Sequence, residues 1–290
     1  MTLPLLLLIA SLSSQSDSTI VVADVSFPSG RDDVPGILVR PNRPGRFPAV
    51  ILIHANSLRE PYIGETAARI ARWGFVVLAV DVFHFLPRLG WEEHLRYPRD
   101  SMNARLTAGF REDRLLRDIG AGVAFLRGTP FTQPGGVQLI GFCGGGWNAL
   151  LVAAQSQDIA SVVAFYAPVV VADSSRRSAY DVHRYITMPV QYHRATEDPY
   201  IVAADVDRLV EALRAQQTPI EVFTYQARHG FVATNRTGIF DPQAAELAWS
   251  RVLPFLRAHA GAVPRPRPLA PPPNPRRAPG ATHGAGWVHH

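Results

Sequence analysis

Three side chains in this sequence, Cys143, Asp198 and His229, have the types and the order needed for covalent acyl chemistry. Cys143 is the only cysteine in the chain, so a disulfide framework is excluded and a reactive thiol is the reading its surroundings favour. It stands in Gly141-Phe142-Cys143-Gly144-Gly145, after the apolar run 137–140 and before the small-residue stretch 146–154. Apolar run, glycine turn and small-residue stretch predict a strand, a sharp turn and a helix, with the thiol displayed on the turn. Glycines let the backbone take a positive φ without a Cβ clash. The partial positive charge of a helix start favours thiolate over thiol. A thiol nucleophile needs a base, and the base needs an orienting acid. Asp198 follows Cys143 by 55 residues and closes the run 189–199 just before Pro199, with Glu197 as the alternative acid; His229 comes 31 residues later, held in a turn by Gly230.

The elements that must position these groups alternate between two periods. The segments 19–27 and 36–40 read as an opening antiparallel pair. Continuous apolar runs at 49–54 and 75–80 predict strands covered on both faces. Further strands are expected at 137–140, 160–166, 188–193 and 220–225, and helices at 65–73, 111–127, 205–215 and 243–257. This strand–helix alternation implies an α/β fold with a mostly parallel, doubly wound sheet and flanking helices. Residues 82–110 fit neither period and read as an irregular excursion over the strand ends, either a cap on a pocket or a plain surface loop.

Both ends of the chain differ from its middle. Residues 1–18 form a signal-like apolar segment that lacks a positive n-region, so a secretory leader and an apolar segment packed on the domain both stay open, and with them a cytoplasmic or an exported location. The run is too short to span a bilayer. Residues 261–290 are rich in proline and arginine and are expected to be a disordered tail, leaving 19–260 as the catalytic domain. The net charge of +5 is carried by arginine alone, since the sequence has no lysine. No basic patch interleaved with aromatic residues points to nucleic acid, and neither H-e-x-x-H nor a Cys/His pairing points to a metal.

The turn at Cys143 resembles the nucleophile elbow of the α/β-hydrolases, G-x-S-x-G, with sulfur in place of the hydroxyl, and the order nucleophile, acid, histidine is theirs. By that resemblance the oxyanion hole would use the backbone N–H of Gly144 and one from the loop around Asn56, Ser57 and Leu58. His54 is a pocket candidate or a strand-end core histidine; Asn56, Phe142 and Phe231 are the other pocket candidates. Gly141-Phe142-Cys143-Gly144-Gly145-Gly146, Glu197-Asp198-Pro199 and His229-Gly230-Phe231, in that order, resemble the dienelactone hydrolase family, and so do the opening residues 34–41 and the run 49–54. The resemblance covers about residues 20–258. It implies a single α/β-hydrolase domain that cleaves a small-molecule ester or lactone through a thioester on Cys143, with His229 as base then acid, Asp198 as its orienter, and no cofactor.

Two departures qualify what is carried over. In the family a glutamate follows the strand equivalent to 49–54 and meets the resting thiol; here Ala55-Asn56-Ser57 stands there, and the next acid is Glu60. The family's arginines for a substrate carboxylate have no clear counterpart, since Ala233 stands where one is expected after His229 and Arg236 is only a neighbour. Acyl hydrolysis of a substrate other than dienelactone is therefore the expectation. A non-catalytic protein of the same fold that binds a small carboxylate, and a thioesterase or acyltransferase, are the other readings. The oligomeric state leaves no mark in the sequence.

Overall fold

The computed structural model describes residues 19–86, 109–170 and 176–272. Eight strands form one sheet: β1 (Ile20–Ser29), β2 (Asp32–Pro41), β3 (Ala49–Ile53), β4 (Val76–Val80), β5 (Val137–Phe142), β6 (Ile159–Phe165), β7 (Val190–Glu197) and β8 (Ile220–Arg228). Their spatial order is β1-β2-β4-β3-β5-β6-β7-β8. β1 and β2 form an antiparallel hairpin, and β2 joins β4 antiparallel. Every pairing from β4 onward is parallel. This is the α/β-hydrolase fold.

Burial explains which strands lie where. Every residue of β3, β4, β5 and β6 is buried, as their unbroken apolar runs require of strands covered on both faces. β1, at one edge, alternates between buried and open positions. Among the described residues the main helices are α1 (Pro61–Arg72), α2 (Glu112–Arg127), α3 (Gly144–Gln155), α5 (Ala203–Ala215) and α6 (Pro242–Ala258), with the four-residue α4 (Ala179–Val182) between α3 and α5. One core joins one face of the sheet to α2, α3 and α5; a second joins the other face to α1 and α6.

Two expectations about element boundaries are corrected. Helix α1 begins at Pro61 rather than at residue 65, because proline at the first helical position needs no amide partner and has its φ already set. The tail does not leave the domain at residue 261. The Arg267 guanidinium donates to Tyr185 O at 2.7 Å, to Ala153 O at 2.6 Å and to Ser156 O, while Ala270 N donates to Ala154 O at 2.9 Å. These are the carbonyls that a helix cannot satisfy at its own C-terminus. Residues 263–272 thus form a strap over the end of α3, and Ala270 is buried there. The proposed tail beyond residue 272 and the segment 1–18 lie outside the described residues, as does most of the excursion 82–110.

Candidate functional site

Close backbone approach at the end of β5 dictates the glycines of the turn. A Cβ on Gly141 would lie 2.2 Å from Gly145 O, and one on Gly145 would lie 2.1 Å from Ile53 O. At Gly146 it would meet the Ala167 side chain at 2.7 Å. The turn is therefore wedged against β3 on one side and the end of β6 on the other. Cys143 itself takes φ 51° and ψ −121°, a strained conformation for a residue with a side chain. It immediately precedes α3, where Gly146 N donates to Cys143 O at 2.9 Å and the amides before it have no carbonyl one turn back within the helix. The Gly144 N–H is one of these.

Asp198 and His229 arrive from the next strand ends along the same edge. Asp198 follows β7, and its Oδ1 accepts hydrogen bonds from Tyr200 N (2.9 Å) and Ile201 N (3.2 Å). That leaves Oδ2 to accept from His229 Nδ1 at 2.7 Å. Glu197, the alternative acid, is the exposed last residue of β7 and does not make this contact. His229 is buried between Tyr166, whose ring centroid is 4.7 Å away, and Tyr200 at 5.0 Å. With Nδ1 committed to Asp198, its other nitrogen faces Cys143, to which it hydrogen-bonds. Burial alone would push the imidazole down; the charge of Cys143 and the bonds to Asp198 and Cys143 outweigh it and raise His229 to about 9.

The remaining expected residues divide into two groups. Asn56 and Ser57 lie half-buried in the loop after β3, and Ser57 shapes the turn that follows, with Oγ accepting from Arg59 N at 3.2 Å and O from Glu60 N at 3.3 Å. His54 is buried, with Nε2 3.6 Å from Asp81 Oδ1. Phe142 and Phe231 are corrected as pocket-wall residues. Both are fully buried: Phe142 stacks on Phe165 at 5.2 Å and meets Tyr62 edge-on at 5.3 Å, while Phe231 packs on Tyr225 at 5.0 Å. They form an aromatic floor beneath the site, since side chains at the last positions of β5 and just past β8 point into the α1–α6 core.

The early start of α1 fixes the place of Glu60, the next acid after residues 55–57. Glu60 becomes the N-cap residue of α1 and is buried; its Oε1 accepts from Arg236 Nε at 2.7 Å. Its Oε2 has no hydrogen-bond partner among the described residues. The Arg236 guanidinium is held above its usual range: burial opposes the charge, and Glu60 more than restores it. Tyr62 follows Glu60 in α1, and Tyr166 packs against His229. Burial pushes both phenols well up, and each also feels the charges of Glu60, Arg236 and Cys143. Glu60 and Arg236, in the sequence only the next acid and a neighbouring arginine, are thus partners of each other. The signal available in the sequence was the Glu-Pro pair at 60–61, a helix-start pattern. Among the described residues no cluster of three or more His, Cys, Asp or Glu side chains could hold a metal ion, and no helix is long and apolar enough to cross a membrane.

The model of the dienelactone hydrolase family matches residues 34–260. Among curated proteins, the chain is 29% identical over 228 residues to a Bradyrhizobium protein named "Probable 2-oxo-3-(5-oxofuran-2-ylidene)propanoate lactonase", covering 77% of this chain and 88% of that one. It is 29% identical over 218 residues to a carboxymethylenebutenolidase of Pseudomonas sp. strain P51, covering 73% and 85%. Among solved structures, a Klebsiella pneumoniae protein assigned as a dienelactone hydrolase superposes with a TM-score of 0.76 at 23% identity, covering 82% of this chain and 98% of that one.

Proposed function

Since this chain belongs to the dienelactone hydrolase family, we propose that it hydrolyses a carboxylic ester or lactone through an acyl-enzyme on Cys143. The single observation that carries this reading is the chain of contacts Cys143–His229–Asp198 at the C-terminal edge of the sheet. Relatives named as a lactonase and a carboxymethylenebutenolidase support the substrate class.

In the proposed reaction the Cys143 sulfur attacks the substrate carbonyl, and the carbonyl electrons move onto oxygen. The Gly144 N–H and an amide of the loop at Asn56 and Ser57 stabilise that oxyanion; donors fixed in place before reaction are worth several kcal/mol. The imidazolium of His229 gives its proton to the leaving oxygen, which departs as an alcohol or, from a lactone, as the hydroxyl end of the opened ring. Neutral His229 then takes a proton from water as the water attacks the thioester. Collapse of the second intermediate expels the thiolate and restores the ion pair. Asp198 keeps Nδ1 directed at itself throughout, so the other nitrogen stays on the sulfur side.

A panel of lactones, simple esters and thioesters, assayed with wild type and Cys143→Ala, tests the proposal. Turnover of esters or lactones by wild type and none above background by Cys143→Ala is the expected result. Equal turnover by the two proteins, or no turnover of any member, would remove it. A preference for thioesters over oxygen esters would move the assignment to the thioesterase reading.

A further inference from the structure

A second acid–imidazole pair stands at the same edge of the sheet. β3 and β4 pair in parallel with Ile53 opposite Val80, so the next residues, His54 and Asp81, leave the sheet side by side. β5, which carries Cys143, flanks β3 on its other side, with β6, β7 and β8 beyond. Asp81–His54 and Asp198–His229 thus lie on opposite sides of the thiol. The strand order reverses direction between β3 and β5, the place where open α/β sheets hold ligands. The Cys143 turn rests on this strand end, for a Cβ on Gly145 would also come within 2.6 Å of His54 O.

The three other imidazoles of the region are satisfied, and His54 is not. His193, in β7, contacts Tyr225 Oη at 2.8 Å and Gln191 Oε1 at 2.9 Å, and burial pushes it down to about 3, as for a structural neutral histidine. His84 pairs with Asp118 at 2.9 Å, and His229 with Asp198. The His54 side chain is wholly buried, yet neither ring nitrogen has a hydrogen-bond partner within normal distance among the described residues. Asp81 Oδ1 lies 3.6 Å from Nε2, and Phe83 stands edge-on at 5.6 Å. Burial opposes ionisation of Asp81, but His54 and the Phe83 N–H, at 3.1 Å from Oδ1, hold the carboxyl below the usual range. In the tautomer that points the Nε2 proton toward Asp81, Nδ1 is a buried acceptor with nothing to accept from. Such atoms are rare in folded proteins and mark a missing donor.

We infer that His54, oriented by Asp81, is a positioning residue that accepts an O–H hydrogen bond in the crevice during turnover. The inference rests on the hydrolase reading above. Two groups present in that reaction carry such a donor: a hydroxyl on the acyl part of the substrate, and the water that cleaves the thioester.

The test uses p-nitrophenyl esters of a hydroxyacyl chain and of the same chain without the hydroxyl, with wild type, His54→Leu, His54→Asn and Asp81→Asn. His54→Asn keeps a polar atom near the Nδ1 position, and Asp81→Asn keeps the imidazole but removes the charge that fixes its proton. Steady-state kinetics, burst amplitude and iodoacetamide alkylation of Cys143 are read together. A substrate hydroxyl predicts that kcat/KM falls tenfold or more in His54→Leu and Asp81→Asn for the hydroxyacyl ester selectively, with partial rescue in His54→Asn. Hydrolytic water predicts a tenfold or greater fall in kcat for both esters with an undiminished burst, because the thioester forms and then waits. Rates within twofold of wild type in all variants would overturn the inference. So would loss of burst and alkylation in step with melting temperature, which marks a structural role. Wild type that turns over neither ester would overturn the hydrolase reading, and this inference with it.

Discussion

The two ends of helix α3 are built on opposite principles. At its N-terminus the chain accepts a cost: Cys143 sits at φ 51°, three glycines are forced by contacts under 3 Å, and the His229 imidazole beside it is buried. At its C-terminus polar groups are partnered many times over. Arg267 takes up the Ala153 and Ser156 carbonyls, Ala270 N takes up that of Ala154, and Gln155 joins Glu112 and Arg177 in a network closed by the Pro271 carbonyl. Midway, Trp147 Nε1 donates to Arg177 O at 3.0 Å. Strain at a functional turn persists only where surrounding structure over-determines it. Here the opposite end of the same helix supplies part of that surrounding structure. The lesson is that residues over 120 positions from the thiol belong to the unit that displays it.

Substitutions can break this contrast end by end. Cys143→Ala should lower ester turnover by about three orders of magnitude or more while circular dichroism stays native, because the proposed nucleophile is lost and the scaffold is not. Turnover within tenfold of wild type would detach the strained turn from function. Arg236→Ala should destabilise the fold by about 3–5 kcal/mol in urea unfolding, since it strands the buried Glu60 carboxylate. A loss below about 1 kcal/mol would mean that water reaches Glu60 in solution.

Titration of His229 sharpens the same contrast. Its raised value means that it binds a proton in the folded state up to about pH 9, where an unfolded histidine gives it up near 6.5. The stability this contributes is complete below about pH 6.5 and is lost as pH rises through about 9. The acid role of His229 predicts that kcat/KM falls on the alkaline side around pH 9. By NMR, the His229 midpoint should drop by about one unit or more in Cys143→Ala, where Cys143 no longer opposes the effect of burial. At the far end of α3 the effect is smallest. Arg267→Ala should cost about 1–2 kcal/mol, seen as a fall in melting temperature of about 3–6 °C, with Cys143 alkylation nearly unchanged. A large loss of alkylation rate instead would show that the strap tunes the turn directly.

Much of this was legible in the sequence, and the rest was not for identifiable reasons. The runs 49–53 and 76–80 are apolar at every position, and only a strand covered on both faces uses such a run so briefly. The placing of Cys143, Asp198 and His229 at one edge of the sheet was legible because each lies just past a strand, with glycine or proline marking the turn. Helix α1 was read four residues late because Pro61 and Gly64 look like breakers, although proline fits the first turn. The sequence did not show that Glu60 pairs with Arg236, 176 positions away. The strap was unreadable because composition alone describes its prolines, whereas the carbonyls that hold Arg267 come from two separate segments assembled only by folding. Phe142 and Phe231 flank the site in sequence, but the last position of β5 and the turn after β8 put their rings in the core.

The central claim is that Cys143 becomes acylated and is then released by His229. Rapid-quench mass spectrometry of the protein mixed with p-nitrophenyl acetate tests it directly. One acetyl group on the peptide containing Cys143, appearing before steady state and absent in Cys143→Ala, is the predicted result. Full turnover with no acyl group on that peptide, or with the label on another residue, would contradict the account.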